Sequence, residues 1–207
     1  MSLRALFLAL TLAPAAHAGC LDFTSIEKGV AFARADGHKG LARTKDGGIF
    51  IDYALNTGTA WSDTRRTQLG IYERTWSWSP TDEYYVGGAP GAYYEYKRSG
   101  KQPEPRPGTT WSTNLRIDET NDNGTEAGAQ TDTTRLKVSY SFLNAQEVTL
   151  SGCKYTAIPV ELRGPSAKLI RRWMYFPDLG FGLETRMTDP ESGHDLKLGL
   201  TAMKPAT

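Results

Sequence analysis

Trp76 and Trp78 stand two residues apart, and Tyr84, Tyr85, Tyr93, Tyr94, Tyr96 and Trp111 follow close behind them. Aromatic rings that carry a polar handle suit an amphipathic cleft for a sugar, a peptide or a lipid. The same ring types are also what sheets use for packing. On a strand, Trp76 and Trp78 share one face. Trp76, Trp78, Tyr85 and Trp111 are therefore the candidate ligand-binding residues. The glycine-bearing "GGAPG" between two tyrosine runs suits a loop that moves over such a cleft.

Other residues with chemical potential fall short of a site. His38 and His194 both stand beside turns, and no G-x-S-x-G elbow presents a serine to either. Ser25-Ile26-Glu27-Lys28 matches S-x-x-K by letter, without the companion elements that make it a nucleophile. Asp82-Glu83 and Asp118-Glu119 are adjacent carboxylates, which a strand points to opposite sides. A calcium loop starting at Glu119 puts Gly124 sixth but ends on Gln130, where a bidentate glutamate is wanted. H-E-x-x-H and paired Cys/His spacings are absent. The sequence thus implies no catalytic residue, no metal and no cofactor.

The elements that must position the rings begin after a processing signal. Arg4, the apolar "ALFLALTLAPAA" and Ala16-His17-Ala18 form the three parts of a signal peptide over 1–18. Its apolar run is shorter than the roughly 20 residues a membrane helix needs. A single domain over 19–207 is expected, periplasmic or secreted and not membrane-spanning. Without Arg4 the 24 basic residues become 23, equal to the 23 acidic ones. A balanced chain gives nucleic acid no electrostatic reason to bind. Cys20 and Cys153 are expected to form a disulfide in an oxidising compartment. The alternative is a lipid anchor on Cys20, although His17 stands where a lipobox wants leucine.

Short alternating runs broken by Gly, Asp and Asn recur along the chain, with no helical period. Asp36-Gly37 and Asp46-Gly47 read as hairpin turns. "TQLGIYERTWSWS" reads as one strand or a bent pair, and "DEYYV" as another strand. Leu136, Val138, Tyr140 and Phe142 alternate with polar residues, as do Leu196, Leu198, Leu200 and Ala202. Loose loops are expected near 99–108 and 118–133. In "YFPDLGFGLETR", Pro177 presets a turn, Gly180 takes the left-handed conformation, and Leu179 tucks under the hairpin. The pattern is an all-β fold of about ten short strands in a single antiparallel sheet domain, half-barrel or sandwich-like.

The W-x-Y-x-P-D-L-G corner at 173–180 and "SGCKYTAIPVE" at 151–161 resemble a β-rich bacterial periplasmic family without a known activity. Such folds are similar to the half-barrels of periplasmic lipoprotein carriers, and no functional residue carries over from those. The resemblance carries no activity; the aromatic set and the lack of a catalytic motif lead to the expectation of a non-enzymatic protein that holds a small apolar or amphipathic ligand in a sheet concavity. The alternative is an envelope-associated interaction or structural module with an envelope protein as partner.

Overall fold

The computed structural model describes residues 19–54, 61–80, 91–122, 129–166, 168–188 and 193–206. Fourteen strands lie among them: β1 (Val30–Arg34), β2 (Lys39–Lys45), β3 (Gly48–Ala54), β4 (Trp61–Gln68), β5 (Tyr72–Pro80), β6 (Gly91–Arg98), β7 (Thr109–Asp122), β8 (Gln130–Phe142), β9 (Gln146–Leu150), β10 (Cys153–Arg163), β11 (Leu169–Phe176), β12 (Phe181–Thr188), β13 (Asp195–Lys197) and β14 (Leu200–Pro205). They form one antiparallel sheet that does not close. Its order is β13-β12-β11-β10-β8-β7-β6-β5-β4-β3-β2-β1-β14, with β9 pairing the first half of β10. The fold is all-β as expected, but with fourteen strands rather than about ten. The undercount has a physical origin: tight turns such as Leu69-Gly70 split runs that read as one. The expected "DEYYV" strand lies outside the described residues.

Local chemistry sets the turns. Asp46 and Gly47, both at positive φ (49° and 70°), join β2 to β3, as a two-residue hairpin with matching twist requires. At the opening corner, Pro177–Leu179 make one 3₁₀ turn and Gly180 sits at φ 73°, ψ 12°. Its N–H donates to the Phe176 carbonyl at 2.9 Å. Leu179 is buried beneath the turn, in a core cluster with Tyr155, Phe176 and Phe181.

Of the two expected loops, the one near 118–133 needs correction and the one near 99–108 is present. The polar stretch 118–133 is strand at both ends, because β7 and β8 pair continuously from Thr109↔Phe142 to Asn121↔Gln130. Cross-strand bonds hold its polar residues: Thr120 and Thr131 hydroxyls meet at 2.9 Å, and Thr133 donates to Asp118 at 2.7 Å. Residues 99–108 are irregular but tied down. Pro105 is buried, and the Tyr72 hydroxyl donates to the Pro103 carbonyl at 2.8 Å. The expected helix-free chain also carries one turn of helix, α1 (Ser25–Lys28). There the Ser25 hydroxyl donates to the Asp22 carboxylate at 3.0 Å.

The C-terminal alternation is not one strand either. It breaks at Leu198-Gly199, where Gly199 has φ 54°. The Ala35 N–H donates to the Leu198 carbonyl at 2.7 Å, while the Leu198 and Gly199 N–H groups both donate to the Thr185 carbonyl at 3.0 Å. This short segment therefore touches both ends of the sheet, running from the edge of β12 to the edge of β1.

Cys20 and Cys153 form the expected disulfide, 133 residues apart in sequence with Cα atoms 5.6 Å apart. In this state the Cys20 sulfur is not free to carry a lipid. Beside it, the buried Leu21 N–H donates to the Tyr155 hydroxyl at 3.1 Å. The core has two parts. One gathers Val30, Phe32, Ile51, Tyr53, Phe181 and Leu183; the other gathers Tyr72, Tyr140, Val160, Trp173 and Tyr175.

Candidate functional site

Between the two core clusters lies a buried ionic quartet: Arg65 on β4, Glu73 on β5, Arg171 on β11 and Glu184 on β12. Arg65 Nη1 donates to Glu184 at 2.7 Å and to Glu73 at 3.3 Å. Arg171 donates to Glu184 through Nε and to Glu73 through Nη1. Two of these pairs, Arg65–Glu184 and Arg171–Glu73, join strands far apart in the sheet order, so the sheet curls until β4–β5 faces β11–β12. Rings enclose the charges: Arg65 lies 4.8 Å from the centroids of both Tyr53 and Trp76, and Arg171 lies 4.9 Å from that of Trp173.

The quartet's electrostatics are self-consistent. Burial alone raises a glutamate pKa, but Arg171 and Arg65 outweigh it and hold Glu184 down to about 2. Burial opposes the charge on Arg65, and the carboxylates of Asp63 and Glu184 more than restore it. Tyr53 is pushed up to about 12 by burial, so its phenol stays neutral at ordinary pH. Both carboxylates are committed to guanidinium partners, and Glu184, held ionised, is not set up as a proton donor. The quartet fills the concave side of the sheet with paired charge.

The expected aromatic residues divide between two places. Trp76 and Trp78 share a face, both half-buried, as the strand period requires. Trp76 stacks on Tyr94 with centroids 5.0 Å apart and an interplanar angle of 22°. Its Nε1 donates to Asp63 at 2.9 Å. Trp78 is aligned with Asp63 and Ala92. Trp111 is elsewhere. Trp76 aligns with Tyr94 and Tyr94 with Glu119, whereas Trp111 lies at the other end of β7. At a rise of about 3.3 Å per residue, roughly 26 Å of strand separate Trp111 from Glu119. Tyr85 lies outside the described residues. Among the described residues, Trp76 and Trp78 do not line the groove that Trp111 lines.

Trp111 lines an open groove of about 730 Å³ where β7 meets the 101–110 segment and the β4–β5 turn. Its ring meets Tyr72 edge-on at 5.6 Å and Tyr140 at 5.4 Å. Leu69 and Phe142 add apolar surface, and Lys101 and Arg106 add positive charge. Leu69 takes φ 57°, uncommon for a branched residue. The strain is held by its carbonyl, which accepts from the Gly182 N–H at 2.9 Å. Strained backbone of this kind costs of order 1–3 kcal/mol and collects at binding sites.

The remaining candidates are placed as follows. His38 Nδ1 lies 2.9 Å from the Asp36 carboxylate on the β1–β2 turn, and His194 is exposed. Asp118 and Glu119 point to opposite faces: Asp118 accepts from Arg116 at 2.8 Å, and Glu119 accepts from the Tyr94 hydroxyl at 3.1 Å. Glu119 and Asn121, which open the calcium-like stretch, are therefore paired strand residues. Its centre at 123–128, like Asp82-Glu83, lies outside the described residues. Among the described residues no cluster of three His, Cys, Asp or Glu side chains suits a metal ion, and no helix is long and apolar enough to cross a membrane.

The quartet is what sequence reasoning missed. The signal present was a charge on an otherwise apolar face: Arg171 shares its side of β11 with Trp173 and Tyr175. No family description, characterised protein or solved structure matches this chain.

Proposed function

We propose that this chain is a non-enzymatic periplasmic or secreted binding protein, and that its groove beside Trp111 takes an amphipathic ligand. The observation that carries this reading is the groove's composition at the end of a filled, half-barrel-like sheet. Trp111 and Leu69 offer apolar contact above the buried Phe142, while Lys101 and Arg106 sit on the same rim and outnumber its one carboxylate, Glu104. An acyl or aryl moiety on the rings, with an anionic head toward the cations, satisfies both halves. The quartet argues against a deep oily cavity, so the ligand lies along the rim rather than inside the sheet.

Titration with laurate, followed by tryptophan fluorescence, tests the proposal. Wild-type protein is expected to show a saturable change. Trp111→Phe, folded by circular dichroism, is expected to lose most of it, and Arg106→Gln to weaken affinity. An unchanged response in Trp111→Phe, or no response in the wild type, refutes the groove as the site.

A further inference from the structure

The opposite, outward face of β6–β8 carries a row of like charges. Lys97 aligns with Arg116, and Arg116 aligns with Arg135. One step along, Lys137 aligns with Asn114. All four cationic side chains are exposed. Like charges directly opposite one another on neighbouring strands destabilise a sheet, so this row works against the fold. Only part of it is neutralised locally. Lys97 Nζ lies 2.9 Å from Glu95 and 3.5 Å from Asp118, and Arg116 Nε lies 2.8 Å from Asp118. Among the described residues, Arg135 and Lys137 make no ion pair. Four cations thus face two carboxylates.

The row borders a shallow groove of about 520 Å³ whose lining holds these four cations and Arg98, with no carboxylate and no aromatic ring. The missing rings decide the ligand class. Single-stranded nucleic acid wants a stacking platform, and a membrane surface wants apolar side chains reaching outward. Leu115 is buried and Leu136 half-buried, both turned to the inner face of the sheet. What remains is an extended polymer with regularly spaced carboxylates. Strands step about 4.8 Å, close to the length of one sugar ring. Arginine forks match carboxylates two bonds at a time. We infer that the Lys97–Arg116–Arg135 row, extended by Lys137, is a binding face for an acidic polysaccharide that lies across the strands. This face is independent of the Trp111 groove, being on the other side of the sheet.

The test is binding of the full chain to polygalacturonate by affinity electrophoresis and calorimetry, across a series of salt concentrations. Neutral dextran, phosphatidylglycerol vesicles and oligothymidylate serve as comparison ligands. Wild-type protein is expected to bind polygalacturonate with steep salt dependence and to ignore dextran. The Arg135→Gln/Lys137→Gln double variant is expected to lose roughly tenfold in affinity and to flatten the log–log salt slope by about 1–2. Arg135→Lys, which keeps the charge but loses the fork, should bind more tightly than the double variant and more weakly than the wild type. The variants should melt at the wild-type temperature or, for the double variant, slightly above it, since the replaced side chains are exposed and Arg135 lies opposite Arg116. The inference is overturned by equal binding of the double variant, by no binding of polygalacturonate, or by tighter binding of the vesicles or of oligothymidylate.

Discussion

Replacing Glu184 with glutamine removes one negative charge from the buried quartet and leaves its shape nearly unchanged. Glu184 is 1 % exposed and accepts from both Arg65 and Arg171. Breaking a buried ion pair from one side costs about 3–5 kcal/mol, because the orphaned charge stays desolvated. The carboxyl's displacement gives a matching figure. Lowered from 4.5 to about 2, it corresponds to about 3 kcal/mol at roughly 1.4 kcal/mol per pH unit. For a chain of this size each kcal/mol moves Tm by about 2–4 °C, so Glu184→Gln should melt about 6–20 °C below wild type near pH 7. The pH dependence follows from the sign of the shift. A folded-state pKa below the unfolded value stabilises the protein fully above about 4.5, and the benefit drains away as pH falls toward 2. The gap between wild type and Glu184→Gln should therefore narrow by about 2 kcal/mol between pH 6 and pH 3. Urea melts at both pH values, followed by tryptophan fluorescence with the disulfide intact, measure it. A loss below about 1 kcal/mol at pH 6, or a gap that stays constant down to pH 3, would show that the quartet does not hold the sheet in its curl.

Two further outcomes are expected. Gly70→Ala should cost about 3 kcal/mol or more, because a Cβ there would sit 2.1 Å from the Gly182 carbonyl oxygen at a φ of 72°. Gly100→Ala, at φ 82° with no atom within 4 Å, should cost only about 1 kcal/mol; equal losses in urea melts would remove the steric argument. The Cys20→Ser/Cys153→Ser variant should lose about 2–5 kcal/mol, given the 133-residue separation it releases. A urea midpoint unmoved by the substitution or by reductant would contradict that.

Local chemistry was legible from the residues alone. Pro177, Leu179 and Gly180 announced the corner, because turn type follows from φ preferences that act within four residues. Asp46-Gly47 announced its hairpin in the same way, and an even cysteine pair announced the Cys20–Cys153 bond. The polar stretch 118–133 misled because Asp, Asn and Gly are depleted in strands. Its pairing depends on partners across the hairpin, Thr133 for Asp118 and Thr131 for Thr120. The candidate site was legible only in part. Trp76 and Trp78 share a face by period, but the distance to Trp111 is set by the length of β7, whose end was read as loop. The quartet was hidden for a related reason. Arg65 meets Glu184 across 119 residues and Arg171 meets Glu73 across 98, and alternation tells a wet face from an oily one without saying which charges will be dry.

The segment that bridges β12 and β1 bears on how the chain reaches this shape. β1 ends at residue 34, yet its second neighbour is β14, whose residues come at 200–205. A polypeptide delivered amino end first must hold that strand with one side bare until about 165 further residues have followed it. Pairings so distant along the chain slow folding, and an unmatched strand side invites strangers in the meantime. The strand at 200–205 therefore acts as a latch on β1 that is thrown only once it has emerged.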